Sequence, residues 1–399
     1  MSTPAPPRTL LCFNAGSSSL KFALFRSDGA EQTALAEGGV ERADDGTVHL
    51  HLRGCGVELE RQVAAAGLPS FVRLIWEALA QQGMPPPTGV GHRFVHGGPR
   101  HYEPERLTPE LMLDLRACIP FAPLHLPGSL EVVEAVTQTF PTVPQVLCFD
   151  TAFHRCLPPV ARRLPLPAKL DAEGLHRYGF HGLSYESIVG TLRLDIVERA
   201  VVAHLGNGAS LVALRCGQSV DTTMGFGPTG GVMMGTRTGD LDPSVMLYLL
   251  RQKQYGVAEL EGMVNRASGL LGVSGGLSAD MRTLLEHRSR DANAALAVEM
   301  FCYQVRKAVG SLAAALGGLD ALVFTGGIGE KSAEVRALVC QGLAHLGVEL
   351  DAQRNIQALN AQAPEVVSRP DSRCRVQVAR TNENLVIARH TAKVLEETS

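Results

Sequence analysis

Two segments of this chain, about 190 residues apart, are built alike. Leu10-Leu11-Cys12-Phe13 runs into Asn14-Ala15-Gly16-Ser17-Ser18-Ser19 and leaves through Leu20-Lys21-Phe22-Ala23-Leu24-Phe25. Val201-Val202-Ala203-His204-Leu205 runs into Gly206-Asn207-Gly208-Ala209-Ser210 and leaves through Leu211-Val212-Ala213-Leu214. Each reads as an apolar strand, a polar Gly/Ser/Asn turn and a second apolar strand, with Leu20, Phe22 and Leu24 alternating as strand residues do. A chain that makes the same hairpin twice at this distance reads as a duplicated α/β unit. Its 399 residues suffice for two domains of roughly 150–200 residues each.

The intervening segments fit that reading. Residues 35–63 are expected as further strands with glycine turns, and 70–82 as a helix closed by Gly83 and Pro85-Pro86-Pro87. A short strand and loop at 89–98 precede a helix at 128–140 and a buried strand at 144–149 that ends on Asp150. Phe301, Val305, Val309, Leu312 and Leu316 fall at helical spacing before Gly317-Gly318. A strand at 321–324 leads into Thr325-Gly326-Gly327-Ile328-Gly329, read as a glycine loop. Ser332 then caps a helix through Val335, Leu338, Val339, Leu343 and Leu346 to Gly347. A polar excursion at 363–373, a strand at 375–379 and a helix at 382–396 complete the pattern.

Three glycine-bearing loops therefore follow apolar strands. Glycine lets backbone N–H groups converge on an anion, so three such loops point to phosphate, although one alone would only mark a turn. The third carries Gly329-Glu330-Lys331-Ser332, where Glu330 takes the place of the second glycine of a P-loop. Arg93 lies in Gly91-His92-Arg93-Phe94-Val95-His96-Gly97-Gly98, and Arg237 in Met233-Met234-Gly235-Thr236-Arg237-Thr238-Gly239-Asp240. An arginine in a glycine-flanked loop can fork onto a carboxylate or phosphoryl group; a surface or salt-bridged arginine is the better explanation of either one alone. Asp150 at a strand end and His181 in Arg177-Tyr178-Gly179-Phe180-His181-Gly182 are further candidates, with helix capping and a structural histidine as the alternatives. Glu383 opens the last helix, where first-turn capping is the ordinary role of an acid.

Composition narrows the class. Lys and Arg total 37 against 40 Asp and Glu, a net charge of −3, which argues against a nucleic-acid binder. Hydrophobic residues at 45% and charged residues at 19% describe a globular chain. Nine cysteines without regular spacing fit reduced thiols better than zinc or disulfides. Residues 1–9 hold no apolar core of a leader and no apolar run approaches ~18 residues, so a cytoplasmic protein without a membrane span is expected.

Taken in order, these motifs resemble the acetate kinase family of acetokinases over nearly the whole chain, from Leu10 to about Lys393. The matching segments are 14–21, 92–98, Phe149-Asp150-Thr151-Ala152-Phe153-His154, 177–182, 204–210, Asp221-Thr222-Thr223-Met224-Gly225-Phe226, 233–242, 324–330 and Thr381-Asn382-Glu383. The resemblance implies two duplicated RNase H-like α/β domains of the actin, sugar kinase and Hsp70 type with a nucleotide cleft between them. The domains are expected at 1–149, completed by the helix at about 384–399, and at 150–383. It implies reversible transfer of the ATP γ-phosphoryl group to acetate, giving acetyl phosphate and ADP, with Mg2+ or Mn2+, in a homodimer.

By the same resemblance Arg93 pairs with the acetate carboxylate, Arg237 and His181 meet the phosphoryl oxygens, and Asp150 orients an arginine or the acceptor. Asn14 and Glu383 hold the metal directly or through water. Ser17, Ser19 and Lys21 line one phosphate loop, and His204, Asn207 and Gly208 the other. Gly326, Gly327, Ile328 and Gly329 lie by the adenosine and α-phosphate; Val95, Leu124, Phe180 and Pro228 form the pocket for the acetate methyl. The chain departs from the family at Leu126, where Asn is usual and a polar group near the acyl pocket is lost. It departs again at Gly227-Pro228-Thr229-Gly230-Gly231, which loses an acid and is expected to gain flexibility, and at Asn384, where Glu is usual. The alternatives are a propionate kinase, since one methylene discriminates by only ~1–3 kcal/mol, and an ATP-driven binding protein of the actin/Hsp70 type, which would have no use for Arg93, His181 and Arg237 together.

Overall fold

The computed structural model describes residues 7–16, 19–29, 31–42, 47–54, 56–64, 67–359 and 363–397. The chain divides into two compact units, one of Met1–Ala152 with Asn382–Ser399 and one of Phe153–Thr381. Asp150 and Glu383 thus both belong to the first unit.

In the first unit, β1 (Arg8–Ala15), β2 (Ser19–Asp28), β3 (Glu31–Arg42), β4 (Val48–Gly54), β5 (Val57–Val63), β6 (Gly89–Phe94), β7 (Glu105–Arg106) and β8 (Gln145–Phe149) form one sheet in the order β5-β4-β3-β2-β1-β6-β8-β7. Leu11 and Phe13 of β1 and Leu20, Phe22 and Leu24 of β2 point into a core closed by the helices Leu68–Gln81 and Leu126–Thr139 through Phe71, Ile75, Val132 and Val136. The C-terminal helix Glu383–Glu397 comes back onto β1, β6 and β8. It approaches β6 so closely that a Cβ on Gly91 would stand 2.3 Å from Thr391 Oγ1 and 2.6 Å from Ile387 Cγ2. The seating of this helix carries Glu383 to the first unit's strand ends.

In the second unit, β9 (Arg199–Leu205), β10 (Ala209–Arg215), β11 (Gln218–Thr222), β12 (Ala321–Thr325), β13 (Glu365–Val366) and β14 (Arg375–Val378) form a sheet in the order β11-β10-β9-β12-β14-β13. The helix Ala292–Leu316 starts on Asp291, whose carboxylate accepts from Ala294 N–H, and stops at Gly317 with φ 75°. Its stripe of Phe301, Val305, Val309 and Leu312 is buried, as the 3–4 residue spacing requires.

The duplication is explicit in the pairings. β3-β2-β1-β6-β8 and β11-β10-β9-β12-β14 share one order: two antiparallel pairings followed by two parallel ones, with an antiparallel edge strand added to each. This is the duplicated α/β architecture that the resemblance implies.

Two local expectations need correcting. Residues 326–331 are a short helix, Gly326–Lys331, and not a loop. Gly326 turns the chain with φ 77°, and Glu330 reaches back so that its Oε1 accepts from Gly326 N–H at 3.0 Å. The helix that Ser332 caps ends at Cys340. Gly342, with φ 87°, breaks it, and Leu346 belongs to a separate 3-10 turn, Ala344–Leu346.

Candidate active site

The ends of β1, β6 and β8 gather the first unit's polar residues. Arg93, in β6, donates from Nε and Nη2 to Asp150 Oδ2 at 3.0 and 2.5 Å and from Nη1 to Asn14 Oδ1 at 3.1 Å. Asn14 Nδ2 donates to Glu383 Oε2 at 2.7 Å, and Glu383 Oε2 lies 3.8 Å from Arg93 Nε. Asp150 is fully buried at the end of β8, and its N–H is held by Phe94 O at 2.9 Å. Burial pulls the Arg93 guanidinium down, but the fields of Asp150 and Glu383 and the Asp150 hydrogen bonds outweigh it and raise its pKa. Arg93 is therefore a fixed cation that spends three of its five N–H bonds on Asp150 and Asn14. One N–H on each terminal nitrogen remains for a ligand.

In the same unit, Val95 follows β6 and is buried, while Leu124 is half-buried ahead of the helix Leu126–Thr139. Ser19 is half-buried and Lys21 exposed on β2; Ser17 lies outside the described residues. Leu126 packs with Phe94, Leu115 and Leu130 in a hydrophobic cluster. At this position, where the family has a polar group, the side chain is part of the core.

In the second unit, Gly208 in the β9–β10 turn organises the polar groups. A Cβ there would stand 3.4 Å from His181 Nε2 and 3.5 Å from Arg237 Nη1. Both cationic or donor-bearing tips face one glycine, where an anion's oxygen can lie without a side chain in the way. Arg237 Nη1 also donates to Pro228 O at 3.1 Å. His181 adopts the left-handed conformation, φ 59° and ψ 26°, as it caps the helix Gly182–Leu192, and Phe180 beside it is buried. The strain of a non-glycine residue there is sustained only where its surroundings over-determine it. His154 supplies one constraint: its Nε2 lies 3.1 Å from Phe180 O and its Nδ1 2.8 Å from Ser219 Oγ, and burial lowers its pKa to about 4.

The segment 227–231 is held by hydrogen bonds despite its glycines. Gly231 N–H donates to Asp240 Oδ1 at 2.7 Å, Asp240 N–H returns a bond to Gly231 O at 2.8 Å, and Thr229 Oγ1 donates to Asn265 Oδ1 at 2.6 Å. Gly231 has φ 90°, and a Cβ there would meet Thr223 backbone at 2.9 Å, so its glycine is required by the turn.

Gly206, Asn207, Gly327 and Ile328 line one cavity of about 570 Å3, the size of a small-ligand site. Its wall also includes Lys331 of the third glycine-bearing segment, and Asp280, Met281, Arg282 and Leu285, which the sequence reading missed. The signal there is an ordinary helix start: Asp280 caps Met281–His287 by accepting from Thr283 N–H, and nothing local ties it to positions 206 or 327. Gly329 is buried in the helix Gly326–Lys331, and its carbonyl accepts from Arg336 Nη1 at 2.7 Å, which anchors that helix. His204 stacks on His181. Among the described residues no three His, Cys, Asp or Glu side chains converge as a metal site, and no helix is long and apolar enough to cross a membrane.

Residues 9–389 match the model of the acetokinase family. Among curated relatives, an acetate kinase of Rhodopseudomonas palustris is 45% identical over 97% of this chain and 98% of its own length. Among solved structures, an acetate kinase of Porphyromonas gingivalis superposes with a TM-score of 0.84 at 35% identity, covering 97% of this chain and all of the other. A propionate kinase of Francisella tularensis superposes with a TM-score of 0.87 at 33% identity and the same coverage.

Proposed function

The chain belongs to the acetokinase family, and from that premise we propose that it transfers the γ-phosphoryl group of ATP reversibly to acetate, forming acetyl phosphate and ADP. The observation that carries the residue-level reading is the pair His181 Nε2 and Arg237 Nη1 facing Gly208. Phosphoryl transfer needs charge neutralised on oxygens in flight more than it needs a covalent intermediate, and these two groups are donors already in place. The cavity at Gly206, Asn207, Gly327 and Ile328 takes the nucleoside, with Met281 and Leu285 as its apolar wall.

In the first unit, the two remaining N–H bonds of Arg93 receive the acetate carboxylate. That acceptor is already ionised, so Asp150 has no proton to remove; it fixes Arg93. Val95 and Leu124, in the same unit as Arg93, supply apolar surface for the methyl. Asn14 Oδ1 and the Glu383 carboxylate suit Mg2+, a hard cation that keeps several waters and takes few protein oxygens. A carbonyl oxygen has two lone pairs, so Asn14 Oδ1 can serve the cation or its water while it accepts from Arg93. Bound there, Mg2+ would neutralise nucleotide phosphate charge.

A homodimer is supported by the helix Pro243–Gln252, which buries none of its residues within the chain while Leu247 and Tyr248 lie open, as do Val257 and Tyr303. Free thiols at the described cysteines support a reducing, cytoplasmic setting.

Trapping acyl phosphate as its hydroxamate, with ATP and Mg2+ and each of formate, acetate, propionate and butyrate, tests the reading. Acetate should give the highest kcat/KM; a higher value for propionate reassigns the acid, and ATP turnover indifferent to every acid removes the kinase.

A further inference from the structure

The stacked imidazoles of His181 and His204, with centroids 4.3 Å apart and planes 21° from parallel, each present Nδ1 to a serine. His181 Nδ1 lies 2.8 Å from Ser210 Oγ on β10. His204 Nδ1 lies 2.8 Å from Ser184 Oγ on the helix that His181 caps. His204 and Ser210 are themselves direct partners across the β9–β10 ladder. Behind Ser210 stands Tyr185, whose hydroxyl lies 2.5 Å from Ser210 Oγ. Ser184, Tyr185 and Ser210 are all fully buried.

The chemistry of the three groups orders the protons. Ser210 has one hydroxyl proton and can donate to only one of its two neighbours. A phenol, with a pKa of about 10, is the stronger donor and poorer acceptor, while an imidazole nitrogen lone pair is the best acceptor in the chain. Tyr185 therefore donates to Ser210, and Ser210 donates to His181 Nδ1. A neutral His181 then carries its proton on Nε2, the nitrogen that faces Gly208.

We propose that Tyr185 and Ser210 are positioning residues that lock His181 in its Nε2–H tautomer, so that it meets the phosphoryl oxygen as a donor. In the other tautomer Nε2 would turn a lone pair toward that oxygen and repel it. The local fold serves the same end: the left-handed backbone at His181 turns the ring onto His204, and the two crossed serine contacts fix its rotation. This proposal rests on the role given to His181 above.

The test combines imidazole nitrogen NMR with kinetics on the full chain. In 15N-histidine-labelled protein near pH 8, about 1.5 units above a free imidazole's pKa, His181 should show the Nε2–H pattern, and S210A should populate the Nδ1–H form. S210A should lower kcat about tenfold, the size of one oriented hydrogen bond, with KM for ATP and acetate changed less than about twofold. Y185F should lower kcat less in the wild-type background and not at all in the S210A background, because the relay is already cut. An Nδ1–H tautomer in the wild-type protein, or an equal Y185F penalty in both backgrounds, overturns the proposal. If S210A does not fold, the tautomer in the wild type and in Y185F decides alone. Full kcat in H181A would remove the phosphoryl role of His181, while the NMR pattern still judges the lock.

Discussion

Substituting Gly208 by alanine should leave the protein folded and nearly abolish turnover. Gly208 does not use a left-handed backbone, and the added methyl would meet nothing nearer than 3.4 Å, an ordinary contact. The expected stability change is therefore within about 1 kcal/mol. The methyl would, however, occupy the point 3.4 Å from His181 Nε2 and 3.5 Å from Arg237 Nη1. An oxygen displaced by about half an ångström from that point reaches both nitrogens at hydrogen-bond distance. The methyl excludes it. Each bond to an ionised oxygen contributes about 1.5–3 kcal/mol, so losing both costs about 3–6 kcal/mol and lowers kcat by roughly 10²–10⁴. Initial rates of acyl phosphate formation at saturating ATP and acetate measure this, beside thermal unfolding as a control. A folded G208A with kcat within tenfold of the wild type would refute the placement of the phosphoryl group between His181 and Arg237.

Val95→Ala should lower KM for propionate relative to acetate by removing methyls from the acyl pocket; an unchanged ratio in steady-state kinetics places the acyl chain elsewhere. Arg336 is fully buried, and its guanidinium is shared among Asn355 Oδ1, Asn355 O, Gly329 O and Glu330 O, with burial lowering its pKa to about 10. Arg336→Met should destabilise by about 3–5 kcal/mol, since it strands these buried acceptors, and should raise KM for ATP by releasing the helix Gly326–Lys331; urea unfolding and kinetics measure the two effects. Burial holds His92 and His154 near pKa 4 in the folded state, below the ordinary 6.5. Between those values the unfolded chain binds more protons, so stability is full above about pH 6.5 and falls toward pH 4, by close to two protons' worth of slope near pH 5.5; a flat urea midpoint from pH 7 to pH 5 would contradict this.

What the sequence discloses and what it conceals divide along a physical line. The strands and the long helix carry their signal locally: Leu20, Phe22 and Leu24 alternate because β2 buries one face, and Phe301, Val305, Val309 and Leu312 recur at helical spacing because one stripe is buried. The glycines at 326–329 read as a loop, yet Glu330 caps Gly326 and Arg336 holds the carbonyls of Gly329 and Glu330, both contacts set by folding rather than by propensity. The same reasoning explains 227–231. Glycine count suggests looseness, whereas Asp240, nine residues on from Gly231, ties the turn at both N–H and C=O. The cavity wall at 280–285 was illegible because its only local signature is a capped helix. The Arg93 cluster shows the remaining limit: motif order places Asn14, Arg93, Asp150 and Glu383 on one list, but only the return of the C-terminal helix onto β6 sets Glu383 2.7 Å from Asn14.

The two copies of the sheet carry unlike residues at corresponding strand ends. In register, β6 stands to β1 as β12 stands to β9, since each is the parallel neighbour of the hairpin's first strand. At the end of β6 the chain places Arg93, and at the end of its next neighbour Asp150, so the strand ends of the first unit are charged and buried. At the end of β12 it places Gly326, whose φ of 77° starts a short helix, and in the β9–β10 turn Gly206 and Gly208. The turns at the strand ends of the second unit are therefore rich in glycine. A small carboxylate carries one charge at one end and is best met by a single immobilised guanidinium, which needs buried counter-charge to stay fixed. A polyphosphate spreads its charge over many oxygens and is best met by backbone that can come close along its length. The same topology thus carries charge at these strand ends in one copy and glycine in the other, and the proposed function assigns the first to the acceptor and the second to the phosphoryl donor.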